Sequence, residues 1–251
     1  MENRLWRIVV IELIGAFGLV LFSAGLVCVN QVATPEGQTG TSPLSLHQPG
    51  VFGVALGQGL ILAALVALTA PITGGYLNPA ITVMLWVMGK VETPRAVGLI
   101  AAQFAGGVAA AGCLKFIFAS QVLQAAHFGA PHVNPLAYHP MAEPTLITGA
   151  LIELLLTFFL VFAIFGLAGG DALRLGIVAG MIATACTLFG TPLTGAALNP
   201  ARWLGPTLFE AFTTTWTRNP WNDSVVYLAG PILGALAGGV VAFKVFPRDK
   251  A

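Results

Sequence analysis

Residues 74–89 read GGYLNPAITVMLWVMG, and residues 194–203 read TGAALNPARW. In the first stretch an apolar helix of a dozen residues opens on Asn78-Pro79-Ala80. At 1.5 Å per residue, the segment 78–89 reaches only about 20 Å, and so does 199–212 behind the second motif. The hydrocarbon of a bilayer is about 30 Å thick and takes about 20 apolar residues to cross, so neither segment spans. Proline suits the first turn of a helix, where its missing N–H is not needed. Asparagine is a preferred N-cap. Asn78-Pro79 and Asn199-Pro200 therefore read as the starts of two half-length helices.

The rest of the chain gives these helices a membrane to sit in. Of its 251 residues 57% are hydrophobic and 8% charged, against about 25% charged in a soluble domain. Six stretches are long and apolar enough to cross: about 5–29, 51–71, 95–120, 145–168, 173–191 and 224–246. The first carries Glu12 within a long apolar run and reads as a span, not a cleaved signal peptide. A net charge of +1 excludes a nucleic-acid partner recruited by bulk electrostatics. Cys28, Cys113 and Cys186 have no metal-ligand spacing and read as packing residues. With no nucleophile–base set or metal-ligand cluster near the two motifs, the sequence argues against an enzyme and calls for no cofactor or metal.

Two halves repeat. ELIGAFGLVLFSAGLV starts at Glu12 and ELLLTFFLVFAIFGLA at Glu153; TGGYLNPAIT starts at Thr73 and TGAALNPARW at Thr194. Each half runs span, span, Thr-Gly, half-helix, span. Three spans per half invert the second half in the membrane, giving repeats over about 5–120 and 145–246 of a single domain, 1–251. The expected fold is all-α, with six transmembrane helices and two re-entrant half-helices. In that arrangement the half-helices enter from opposite faces and bring two positive dipole ends and two asparagine amides together at mid-depth. Non-helical backbone at that depth must be covered by protein or line a water-filled path, and a narrow polar pore follows. Arg4, Arg7, Lys90, Arg95, Arg174, Lys244, Arg248 and Lys250 flank one side, while 30–50 and 121–144 hold no Lys or Arg. Both termini are thus expected in the cytoplasm, with Lys115, Arg202 and Arg218 as exceptions.

Paired Asn-Pro-Ala motifs (Asn78, Pro79, Ala80; Asn199, Pro200, Ala201), Arg202 directly after the second, and the embedded Glu12 and Glu153 closely resemble the aquaporin, or major intrinsic protein, family. Gln103 and the AGPILGALAGG of the last span look like family features too, and the resemblance covers nearly the whole chain. It implies a multi-pass protein of the cell membrane, a homotetramer with one pore per subunit, passing water and small uncharged solutes while excluding protons and ions. Asn78 and Asn199 would donate to a passing solute. By ungapped spacing, the family's narrow constriction falls on Gln58, Thr187, Ala196 and Arg202. Strict water channels resemble one another in having Phe and His at the first two positions; glycerol facilitators have Trp, Gly and an aromatic residue, and Asp where this chain has Trp203.

Gln, Thr, Ala and Arg match neither pattern. Losing two rings at Thr187 and Ala196 widens the opening, and Gln58 adds donors and acceptors, which suits glycerol, urea or metalloid acids beside water. A water-selective channel is the alternative, with Gln58 folded inward. Further rivals are a secondary transporter, since broken helices in inverted repeats occur there too, and a non-conducting structural protein. Glu12 and Glu153 read either as proton-relay groups or, preferably, as acceptors for irregular backbone before the half-helices. Tyr76 stands where many family members have His and is assigned to the cytoplasmic vestibule. His47, His127, His132 and His139 lie in the outward loops; a metal site or pH sensor is conceivable, and solvated histidines are the plainer reading. Trp6, Trp86, Trp216 and Trp221 sit near span ends as interfacial anchors do.

Overall fold

The computed structural model describes residues 2–32, 49–135, 145–167, 170–213 and 219–246. His47, His139, Trp216 and Arg218 lie outside them. The described elements are α1 (Glu2–Val29), α2 (Gly50–Thr73), α3 (Pro79–Val87), α4 (Thr93–Ile117), α5 (Ser120–Ala125), α6 (Thr145–Gly166), α7 (Ala172–Thr194), α8 (Pro200–Thr213) and α9 (Ser224–Val245). Six of these helices are long and apolar enough to cross a membrane. The two half-helices, α3 and α8, start at the prolines the sequence points to. The third span, expected over about 95–120, breaks at Phe118 (φ −109°, ψ 146°), and short α5 runs from its end into the following loop.

Each boundary has a local cause. α2 and α7 stop at Gly74 (φ 100°) and Gly195 (φ 75°), left-handed positions that suit glycine. Pro71 and Pro192, three residues earlier, extend the internal repeat to Pro-x-Thr-Gly. At the far end of α3, Lys90 N–H donates to Leu85 O (2.8 Å) and Gly89 N–H to Trp86 O (2.9 Å). That pair of bonds, with Gly89 at φ 67°, is a Schellman stop. It ends α3 after nine residues, well short of the bilayer thickness.

The halves meet by reciprocal contacts. Gly59 on α2 and Gly180 on α7 each lie 19 residues before their asparagine. A Cβ at Gly59 would sit 2.5 Å from Gly180 O, and one at Gly180 would sit 2.4 Å from Gly59 O. Residue i on j and j on i is the signature of a two-fold, here within one chain. A second matched pair fixes the outer helices: a Cβ at Gly106 of α4 would fall 2.4 Å from Leu13 O, and one at Gly234 of α9 would fall 2.2 Å from Leu154 O. The glycines of these runs thus serve approach within the bundle. Large apolar side chains such as Leu68 (70% exposed) and Phe116 (91% exposed) face outward, as lipid-facing residues do.

Candidate functional site

Where α3 and α8 begin, each asparagine does two jobs. Asn78 Oδ1 accepts from Ala80 N–H at 2.9 Å, and Asn199 Oδ1 accepts from Ala201 N–H at 2.9 Å. These are N-caps. The amide nitrogens reach across the two-fold: Asn78 Nδ2 donates to Leu198 O and Asn199 Nδ2 to Leu77 O, both at 2.9 Å. Each NH₂ carries two donors, so one proton per asparagine remains beyond the scaffold bond. Leu77 (φ 50°) and Leu198 (φ 53°) are left-handed, which costs about 1–2 kcal/mol per non-glycine residue.

Glu12 and Glu153 hold that strained backbone. Glu12 accepts from Thr73 Oγ1 (2.5 Å), Tyr76 N–H (3.2 Å), Leu77 N–H (2.7 Å) and Gln103 Nε2 (2.7 Å). Glu153 accepts from Thr194 Oγ1 (2.6 Å), Ala197 N–H (3.0 Å) and Leu198 N–H (2.8 Å). Both side chains are fully buried, and neither lines the cavity described next. Arg95 Nη2 donates to Thr73 O at 3.2 Å and Tyr227 Oη to Thr194 O at 2.6 Å. In the sequence Arg95 bears only on orientation, and nothing there marks Tyr227.

One cavity runs past the junction. Asn78 and Asn199 line it, together with Gln58, Thr187, Ala196 and Arg202. Tyr76 lines this cavity and also a second one, beside Lys90 and Phe243, at the α2–α3 end. Pro79, Ala80, Pro200 and Ala201 are buried in the helix starts and do not line it. Leu62, Val66, Leu160 and Ile164 supply an apolar wall. Ser23 of α1 also lines the cavity; nothing in the sequence singled it out among its apolar neighbours. Trp203 lies off the path, stacked on Tyr227 at 5.8 Å and edge-on to Trp221 at 5.9 Å.

Arg202 is 3% exposed. Its Nη1 donates to Gly129 O at 2.7 Å, while Nε has no hydrogen-bond partner among the described residues. Gly129 closes a left-handed turn with His127 (φ 49°) and Phe128 (φ 54°). A Cβ at Gly129 would fall 2.4 Å from Ala24 O, so glycine is required both for the φ and for the contact. No sequence signal marks a backbone carbonyl 73 residues away as the arginine's partner.

The sequence expectation of solvated histidines holds in part: His127 is more than half exposed, but both it and His132 are paired with a buried carboxylate. His127 Nδ1 lies 2.7 Å from Glu210 Oε1, and His132 Nε2 lies 2.8 Å from Glu210 Oε2. Glu210, on α8, is 1% exposed. Burial alone would raise its carboxyl pKa; the two imidazoles outweigh that and hold it below the ordinary value. For His132, burial opposes the charged ring, but Asp223 and Glu210 prevail and push its pKa up to about 9. The separations of 83 and 78 residues hid this cluster from sequence reading.

The comparisons agree with this architecture. The family model "Major intrinsic protein" matches residues 1–242. The lens fiber major intrinsic protein of Gallus gallus is 35% identical over 212 residues, 80% of this chain and 72% of that protein. Aquaporin-4 of Homo sapiens is 32% identical over 250 residues, 96% of this chain and 68% of that protein. The X-ray structure of the aquaglyceroporin from Plasmodium falciparum superposes with a TM-score of 0.74 at 21% identity. It covers 97% of this chain and 96% of that one, and speaks for the fold. The chain belongs to the major intrinsic protein family, whose members are membrane channels for water and small solutes and not enzymes.

Proposed function

We propose that the cavity past Asn78 and Asn199 is a passive pore for water and small uncharged polar solutes such as glycerol, urea or metalloid acids. Gln58, Thr187, Ala196 and Arg202 form its filter. The observation that carries this reading is that all four ring residues and both asparagines line one cavity. Polar and apolar side chains both line it, so a solute keeps hydrogen bonds to the first and slides along the second. Thr187 and Ala196 leave the ring wide, and Gln58 offers both donors and acceptors.

Protons and ions are excluded by the same parts. The free amide protons of Asn78 and Asn199 donate to the oxygen of a central water. That water must then donate outward on both sides and cannot relay a proton. The two helix N-termini and Arg202 place positive potential on the path and oppose cations, hydronium included. Tyr76 lines the cytoplasmic vestibule. The protein resides in the cell membrane as a homotetramer with one pore per subunit; both termini lie inside, an orientation supported by Lys90 and Arg95 at the α3–α4 end.

Flux through proteoliposomes tests the reading. Water and solute flux should rise linearly with the gradient, with a low activation energy and no dependence on Na⁺ or proton gradients. Saturating or ion-coupled flux would make the protein a transporter; flux equal to that of empty vesicles would make it a closed scaffold.

A further inference from the structure

The cluster above Arg202 has the composition of a metal site. His127 Nδ1, His132 Nε2 and the Glu210 carboxylate converge with their ligand atoms all within 4.8 Å of one another. We infer that His127, His132 and Glu210 bind one divalent transition-metal ion of the Zn²⁺ class between the Gly129 turn and α8.

Zinc takes imidazole nitrogen and carboxylate oxygen at about 2.0–2.2 Å, which puts tetrahedral ligands about 3.3 Å apart. The two nitrogens now sit 2.7 and 2.8 Å from the carboxylate oxygens. An ion that replaces both hydrogen-bonding protons therefore takes both carboxylate oxygens, and the ligand atoms, within 4.8 Å of one another, close by up to about 1.5 Å to reach that spacing. Two nitrogens and one carboxylate select Zn²⁺, Co²⁺ or Ni²⁺ over the oxygen-seeking Ca²⁺ and Mg²⁺. On the far side of His132, Nδ1 lies 3.9 Å from Asp223 Oδ2. That is the place of the carboxylate that orients a metal-bound imidazole. The His127 side chain is 55% exposed, leaving an entry path and room for a water as fourth ligand.

The backbone is built to converge these groups. His127 and Phe128 accept left-handed conformations that non-glycine residues avoid, and strain of this kind collects at ligand clamps. Val133 N–H donates to Asp223 Oδ2 (3.2 Å) and Asn134 N–H to Leu193 O (2.8 Å), pinning the loop beyond His132. The same turn carries Gly129 O, which holds Arg202. A bound ion thus fixes the loop to α8 about two turns from the filter arginine.

The test is metal binding by the tag-free, EDTA-stripped full chain in detergent, and flux does not enter it. Failure here would leave the pore reading intact. Co²⁺ is titrated while the visible d–d absorption is followed, and Zn²⁺ is then added as competitor. The expected result is one Co²⁺ per chain with intense tetrahedral absorption that Zn²⁺ bleaches. His127→Gln and His132→Gln, each checked for unchanged helix content, should weaken binding by about 100-fold or more, at least the loss seen for outer-shell changes. Wild type without saturable tetrahedral absorption would overturn the inference, whatever the variants do. So would Co²⁺ binding equally well to wild type and both variants.

Discussion

Glu12 and Glu153 show what a buried carboxylate must do to belong inside a bilayer. A charge at that depth is expensive unless it is ligated by the protein, and both are surrounded by donors from their own half. Removing Glu153 strands the Thr194 hydroxyl and the N–H groups of Ala197 and Leu198, each worth about 1–3 kcal/mol when left unsatisfied. Glu153→Leu should therefore cost about 3 kcal/mol or more. Glu153→Gln, which retains one acceptor oxygen, should cost less. Thermal unfolding in detergent reads the order; equal losses would contradict it and mean that one acceptor oxygen alone does not hold the turn. These two residues were legible because they recur at matched places in two halves. Gly129 was not, because what it contributes is a carbonyl, and a carbonyl carries no residue signature. Glu210 was not, because its imidazole partners come from a loop some 80 residues upstream.

At the scale of elements, helix length and helix approach set the geometry. The N-caps and prolines that start α3 and α8 are written in the sequence, and so the half-helices could be placed to within a residue or two. The stop of α3 is equally local, a glycine at φ 67°, though only the bonds of Gly89 and Lys90 reveal its type. Which glycines matter is not local at all. Gly180 touches backbone on α2, whereas a Cβ at Gly18 would meet only Leu65 methyls at 3.5 Å or more. Gly180→Ala should lower stability by about 2–3 kcal/mol through overpacking. Gly18→Ala should be neutral or stabilising by about 0.5 kcal/mol, because alanine is the better helix former. Unfolding of the two variants side by side checks this, and a tolerated Gly180→Ala would show that the α2–α7 crossing can open without penalty. Trp203, met in the sequence only as a departure from the glycerol facilitators' aspartate, proves to be part of this packing, wedged between Tyr227 and Trp221.

The whole molecule is an inverted pair of halves whose two-fold passes between Gly59 and Gly180 and between the two asparagines. That symmetry delivers two N-caps and two carbonyls to one place, yet the proposed filter ring is asymmetric: α2 gives Gln58, α7 gives Thr187, the approach to α8 gives Ala196, and α8 gives Arg202. In the proposed reading, selectivity rests on these few side chains, held by the scaffold around them. The measurement that tests the account most directly is stopped-flow light scattering on proteoliposomes, with water flux compared against glycerol, urea and boric acid entry. Wild type and Gln58→Phe/Thr187→His are run together. Wild type should pass water and the larger solutes, and the double variant should keep water while losing most of the rest. Wild type that already excludes glycerol, urea and boric acid would contradict the wide polar ring and make this a water-selective channel.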